Sequence, residues 1–306
     1  MAQDFSKPIH QLVLVGDSDI AFWPEDLLPS VAPDLKARMD ETLVSGHPGA
    51  SLGDVLPKLK KTLKQAKEKS YVVQAFKIQE LNWAKLDVEE KLEGLKEADD
   101  FHHELVFNVP TLMAKKHQLS TIKSNLDRKR EKKKQWSPPN DPFCMTLFVV
   151  FCAGENDIGE GLSLDKSVHS LWQLLDVVFD DQYRFQSQDT GKTKMALIFL
   201  GPKFEPWLDD DPSSKQDYVN MSRAFERRIK EHQKELDNSE SEDKVHFVDC
   251  LTMFCGESAK MPGARIGGRA RAEEEYFAAD RLHLSRSGYQ VWKEKVEAIM
   301  RDESGN

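Results

Sequence analysis

Four side chains of complementary chemistry stand just beyond apolar runs of this chain: Ser18, Asn156, Asp280 and His283. Acyl transfer from an ester needs a nucleophile, a base to take its proton, a group to orient the base, and donors for the oxyanion. Ser18 is the candidate nucleophile and His283 the candidate base. Asp280 lies three residues before His283, so one turn of backbone can bring its carboxylate to the far imidazole nitrogen. There it would fix the tautomer and stabilise the imidazolium. The N–H groups of Ser18 and Gly46 and the amide of Asn156 could surround one oxyanion.

Taken singly, each of these residues also has a plainer reading. Asp17 or Ser18 could cap a helix, and Asn156-Asp157 could be a capping pair. Gly46 could serve only a turn, and His283 could be a surface histidine at a helix start. Asp249, at the end of an apolar run, is a rival acid, but Asp280 has the tighter spacing to His283.

Strands and helices must bring these residues together. Residues 11–15 are apolar and β-branched, and end at Gly16, which lets the chain turn sharply. Asp19 to Met39 reads as a short turn and then a helix, with Trp23-Pro24-Glu25-Asp26 at its start. A short extended piece, 42–44, leads into the loop Ser45–Ser51. A helix from about Leu52 carries Val55, Leu59 and Leu63 on one face. Met145–Cys152 and Met195–Leu200 are continuously apolar, as strands buried on both faces should be. Between them a helix aligns Val168, Leu171, Trp172, Leu175, Val178 and Phe179. Asp210-Asp211-Pro212-Ser213 opens another helix, with Tyr218, Met221, Phe225 and Ile229 on one side. Val245–Val248 is the fifth strand. The last helix carries Tyr289, Trp292, Val296 and Ile299. Strands alternating with helices predict an α/β protein with a mainly parallel sheet.

Residues 64–140 break this rhythm and read as a charged, largely helical insertion in one domain spanning 1–306. Two basic runs, 58–69 and 128–134, stand out in a chain of net charge −9. The remainder is acidic, so nucleic acid is an unlikely partner for it. The runs read as solvated faces, or at 128–134 as a nuclear-localisation or acidic-surface contact. No stretch approaches the ~20 apolar residues that cross a bilayer. Met1–Pro8 has no apolar core of a secretory leader. Cys144, Cys152, Cys250 and Cys255 form no C-x-x-C pair and suit buried free thiols. A cytoplasmic protein is expected, with a nuclear location open through 128–134. No cluster of His and Cys suggests zinc, and no Gly-x-Ser-x-Gly elbow is present.

Gly16-Asp17-Ser18, the Gly46-His47-Pro48-Gly49 loop, Gly154-Glu155-Asn156-Asp157 and Asp280-Arg281-Leu282-His283 together resemble the four blocks of the SGNH/GDSL hydrolases. The stretch from Asp280 through Gly288-Tyr289 to Trp292 is especially similar to the last block. The blocks occur in the family's order, from 16 to 292. The resemblance implies a three-layer α/β/α sandwich on a flavodoxin-like, mainly parallel five-stranded sheet. It implies Ser18, Asp280 and His283 as the catalytic triad, with Ser18, Gly46 and Asn156 forming the oxyanion hole and no metal or organic cofactor. The sequence departs from the family after Ser18, where Asp19-Ile20 follows, and in the length between the second and third blocks.

The expected function is that of a serine esterase acting through an acyl-enzyme on a small-molecule ester, with His47, Phe204 and Trp207 as candidate substrate contacts. A scaffold protein that uses 64–140 to hold a protein partner is the alternative. An acyltransferase or carbohydrate deacetylase on the same site is another.

Overall fold

The computed structural model describes residues 9–30, 42–68, 145–184, 186–187, 191–265 and 269–304. Five strands form the main sheet: β1 (Ile9–Gly16), β2 (Leu43–Gly46), β3 (Met145–Cys152), β4 (Lys194–Leu200) and β5 (Lys244–Val248). They lie in the order β2-β1-β3-β4-β5, and every neighbouring pair is parallel. The chain leaves β1 toward β2 on one side and continues from β3 on the other. The carboxyl ends of β1 and β3 therefore flank the switch point at which open α/β sheets bind ligands.

The two faces of the sheet follow from side-chain alternation. Val13, Val15, Val149, Phe151, Leu197 and Phe199 point to one face. They meet three helices: α1 over residues 52–68, α2 (Leu164–Val178) and α3 (Pro212–Asn238). Leu12, Leu14, Phe148, Val150, Ile198 and Leu200 point to the other. There they meet α4 (Arg286–Ser304) and the segment carrying Ile20, Trp23 and Leu27. The result is a three-layer α/β/α sandwich. Each fully buried Leu, Val or Phe contributes about 1.5–3 kcal/mol.

Local chemistry sets the element ends. The Asp211 side chain accepts from the amides of Ser213 (3.1 Å) and Ser214 (3.2 Å), and Pro212 takes the first helical position of α3. Val55, Leu59 and Leu63 of α1 are fully buried, as their spacing predicts. Cys152, Cys250 and Cys255 are buried free thiols.

Some expectations need correction. Gly16 is required for space, not for an unusual backbone angle: a Cβ there would lie 2.0 Å from the Cys152 carbonyl oxygen. The helix expected to open at Trp23-Pro24-Glu25-Asp26 is a single 3-10 turn, Glu25–Leu27; its predicted continuation over 31–39 lies outside the described residues. Trp23 instead packs its ring on Tyr289 and Trp292 and donates its indole N–H to the Leu27 carbonyl at 3.0 Å. Trp172 points out of α2 and is 44% exposed, with the Arg228 guanidinium 3.4 Å from its ring centre. On α4, Met300 rather than Ile299 completes the buried stripe. Of the insertion expected at about 64–140, only 64–68 is described, and it continues α1. Among the described residues no helix is long and apolar enough to cross a membrane.

Candidate active site

The nucleophile candidate follows β1 directly. The Asp17 amide donates to the Cys152 carbonyl at 3.0 Å, which prolongs the pairing of β1 with β3 by one residue. The Asp17 carboxyl accepts from the Asp19 amide at 3.1 Å and so caps a one-turn helix, Ser18–Ala21. Ser18 occupies the first helical position, where an amide has no intrahelical acceptor. Gly46, at the end of β2, packs against this turn: a Cβ there would lie 2.1 Å from the Ala21 nitrogen. The His47 amide then donates to the carbonyls of Gly16 (2.9 Å) and Asp17 (3.2 Å).

Asn156 lies in the short helix Glu155–Gly159 after β3, behind Gly154, whose φ of 124° suits glycine. One hydrogen of its amide goes to the Ala50 carbonyl at 3.0 Å; a primary amide has a second to offer. The neighbouring Asp157 carboxylate accepts from the Leu52 amide at 2.8 Å and caps α1. The capping and the functional readings of Asn156-Asp157 thus fall on adjacent residues.

His283 Nδ1 and Asp280 Oδ2 are 2.7 Å apart. The other carboxylate oxygen of Asp280 accepts from the amides of Leu282 and His283, both at 3.0 Å. The His283 hydrogen bond is the main cause, with these amides adding to it, that holds the Asp280 carboxyl down at about 2. With Nδ1 bound to Asp280, Nε2 is left for a reacting group. Arg281 within this turn has φ +60°, a conformation side chains disfavour; its guanidinium donates to the Pro206 carbonyl at 3.0 Å. The Phe22 ring stands edge-on to the imidazole, with centroids 4.8 Å apart. Phe22 follows the Ser18 helix, so the Ser18 segment touches the His283 ring.

Beneath these groups lies a feature that sequence reading missed. The Lys203 ammonium, 1% exposed, bonds Asp19 Oδ2 (2.7 Å), Glu155 Oε2 (2.7 Å) and Glu205 Oε1 (2.9 Å). The Lys203 amide also donates to Glu155 Oε1 at 2.8 Å. Burial opposes the charge on Lys203, and the three carboxylates outweigh it, so its pKa lies well above the ordinary lysine value. Asp19 adjoins Ser18, and Glu155 adjoins Asn156. The only local signal was a lysine between Gly201-Pro202 and Glu205, at the end of a buried strand.

Ser18, Asn156 and His283 line one cavity of about 440 Å³, together with Lys203, Glu205, Trp207, Tyr218 and Leu282. Among the described residues no hydrogen bond joins Ser18 to His283; such contacts often form only when substrate is bound. Trp207 is on the cavity wall and donates its indole N–H to Glu205. Phe204 is not: it is 1% exposed, packed with Leu208, Tyr218 and Leu251 in a small apolar cluster. Neither His47 nor Gly46 lines the cavity; the His47 ring is bound to the Ser45 hydroxyl at 2.9 Å. Asp249 is engaged by Arg265 and by the Leu251 amide, away from His283. Carboxylate oxygens of Asp17 and Asp19 and the Cys152 sulfur lie within 4.8 Å of one another, the only described grouping of metal-ligand type.

No family model matches the chain, and neither does any curated protein. Solved structures do. One is a member of the lipolytic protein G-D-S-L family from Veillonella parvula, at 12% identity and a TM-score of 0.42 over 95% of this chain and 97% of that one. Another is a carbohydrate acetylesterase family member from Sinorhizobium meliloti, at 11% identity and 0.42 over 97% of this chain and all of the other.

The geometry yields two expected outcomes. Lys203→Met leaves three buried carboxylates without their cation and should cost about 3–5 kcal/mol, read as a lower urea midpoint at unchanged slope. A variant as stable as the parent would mean the cluster is solvated. Gly46→Ala drives a methyl group into the Ala21 backbone and should cost about 1–3 kcal/mol or more, with loss of any activity that depends on Ser18.

Proposed function

We propose that this protein is a serine hydrolase of carboxylic esters, of the SGNH/GDSL type. The observation that carries the reading is His283, bound to Asp280 at 2.7 Å and lining the same cavity as Ser18 and Asn156. In this reading His283 Nε2 takes the proton from Ser18 as its Oγ attacks the ester carbonyl. The tetrahedral oxyanion is held by the Ser18 amide and the free N–H of Asn156. His283 then protonates the departing alcohol, and water repeats the cycle on the acyl-enzyme. Asp280 keeps the imidazole in the required tautomer and balances its charge. The polar groups of Lys203, Glu205 and Tyr218 at the cavity favour short acyl groups over long chains.

A panel of nitrophenyl esters from acetate to long chains tests this. Short esters should be cleaved fastest, and Ser18→Ala should abolish both turnover and labelling by a fluorophosphonate. Undiminished turnover in that variant would remove Ser18 as nucleophile. Asn156→Ala should lower kcat roughly 10²–10³-fold.

The pH dependence of the pair has a definite sign. The Asp280 carboxyl is depressed to about 2, so its charge is complete above the ordinary carboxylate range and is lost only as pH falls through that value. Asp280→Asn should therefore reduce kcat by roughly 10²–10⁴ at neutral pH, where the wild-type carboxylate is fully charged. An Asp280→Asn variant with the kcat of the parent at neutral pH would remove Asp280 as the partner of His283.

A further inference from the structure

Asp17 and Asp19 lie side by side under Ser18, with their carboxylate oxygens inside the 4.8 Å grouping that also holds the Cys152 sulfur. Both are 2% exposed. Asp19 Oδ2 receives the Lys203 ammonium, but Asp19 Oδ1 is buried with no hydrogen-bond partner. Asp17 Oδ1 receives the Asp19 amide, and no described donor reaches its other oxygen. Two carboxylates this close and this little exposed repel unless something positive stands between them. The candidates are a proton or a metal ion.

We propose that a proton stands there: Asp17 is a neutral carboxylic acid whose O–H donates to Asp19 Oδ1, making Asp17 a positioning residue for Ser18. The charge count favours it. Asp17, Asp19, Glu155 and Glu205 share one buried ammonium, and Asp17 alone has no contact with it. Burial, then the charges of Asp19 and Glu155, push the Asp17 carboxyl well above its ordinary range. A cation is the weaker candidate. The Lys203 ammonium already sits 2.7 Å from Asp19, and burial pushes the Cys152 thiol up, away from the thiolate a metal needs. With the proton in place both oxygens of Asp19 are satisfied. The turn Asp17-Ser18-Asp19 is then fixed between Lys203 below and the Tyr289 hydroxyl, which donates to the Asp19 carbonyl at 2.8 Å.

Asparagine copies a neutral acid: its oxygen can accept from the Asp19 amide while its N–H donates to Asp19 Oδ1. Leucine can do neither. The charged or titratable groups facing Asp17 are Asp19 in its own turn, Cys152 and Glu155 at the end of β3, Lys203 beyond β4 and Tyr289 on α4. Because the folded state holds a proton that the unfolded state releases, the wild-type protein loses stability as pH rises above the ordinary carboxylate range. Asp17→Asn has no such proton to hold.

The experiment compares the full-length wild type, Asp17→Asn and Asp17→Leu by thermal unfolding at several pH values, by ester turnover and by metal content. Asp17→Asn should be at least as stable as wild type at mildly alkaline pH, with an advantage that narrows on acidification, and should keep kcat within about threefold, a difference of under 1 kcal/mol. Asp17→Leu should lose stability and most turnover. Stability of Asp17→Asn as low as that of Asp17→Leu would overturn the proposal. So would stoichiometric metal in the purified protein, with stability lost on chelation. Only the turnover arm rests on the hydrolase reading; the unfolding and metal arms decide the proton even if no ester is cleaved.

Discussion

A single buried ammonium ties the loops of the candidate site together. Lys203 comes from the turn after β4, and its three carboxylate partners come from the turns after β1, β3 and β4. An unpaired ammonium in such a place would cost several kcal/mol, so the folded state requires all three loops to converge on it. Two of the carboxylates are chain neighbours of candidate-site residues, Asp19 of Ser18 and Glu155 of Asn156. Placing the charge therefore places Ser18 relative to Asn156. Replacing such a cluster by apolar side chains can leave stability unchanged or improve it. What the contacts show here is positional: turns after three different strands end on one ammonium.

The same reasoning explains which parts of the molecule were legible in the sequence. β3 and β4 were plain because a strand buried on both faces must be apolar at every position, and Met145–Cys152 matched residue for residue. α3 announced its start through Asp211 and Pro212, a local device whose chemistry does not depend on the rest of the chain. Trp172 and the Trp23–Asp26 stretch misled because tertiary contacts decide them. A tryptophan at an apolar spacing of α2 is capped by Arg228 on α3, and Trp23 is taken up by Tyr289 and Trp292. The residues of the candidate triad were legible because each sits just past a strand or just before a helix. The Lys203 cluster was not. Its members, at 19, 155, 203 and 205, share no period, and a lysine in sequence reads as surface until its partners are known.

The two halves of the site differ in how they are held. Ser18 and Asn156 rest on buried charge, on the pairing of β1 with β3, and on Gly46 packed into the Ser18 helix. The Asp280–His283 turn is open by comparison, its side chains 50% and 22% exposed. Its precision comes from a shell of short-range contacts. Asp280 closes on two amides of its own loop, the Ala278 amide donates to the His283 carbonyl at 2.7 Å, and Phe277 bridges to Leu284. Two further contacts connect this turn to the buried half: Phe22 against the imidazole, and Arg281 on the Pro206 carbonyl, one residue beyond Glu205. The strained backbone of Arg281 is tolerable because that guanidinium is anchored. His283 is thus registered against the segment that carries Lys203 and Glu205. A disturbance of the buried charge would reach His283 through Pro206 and Arg281 as readily as it reaches Ser18 through Asp19.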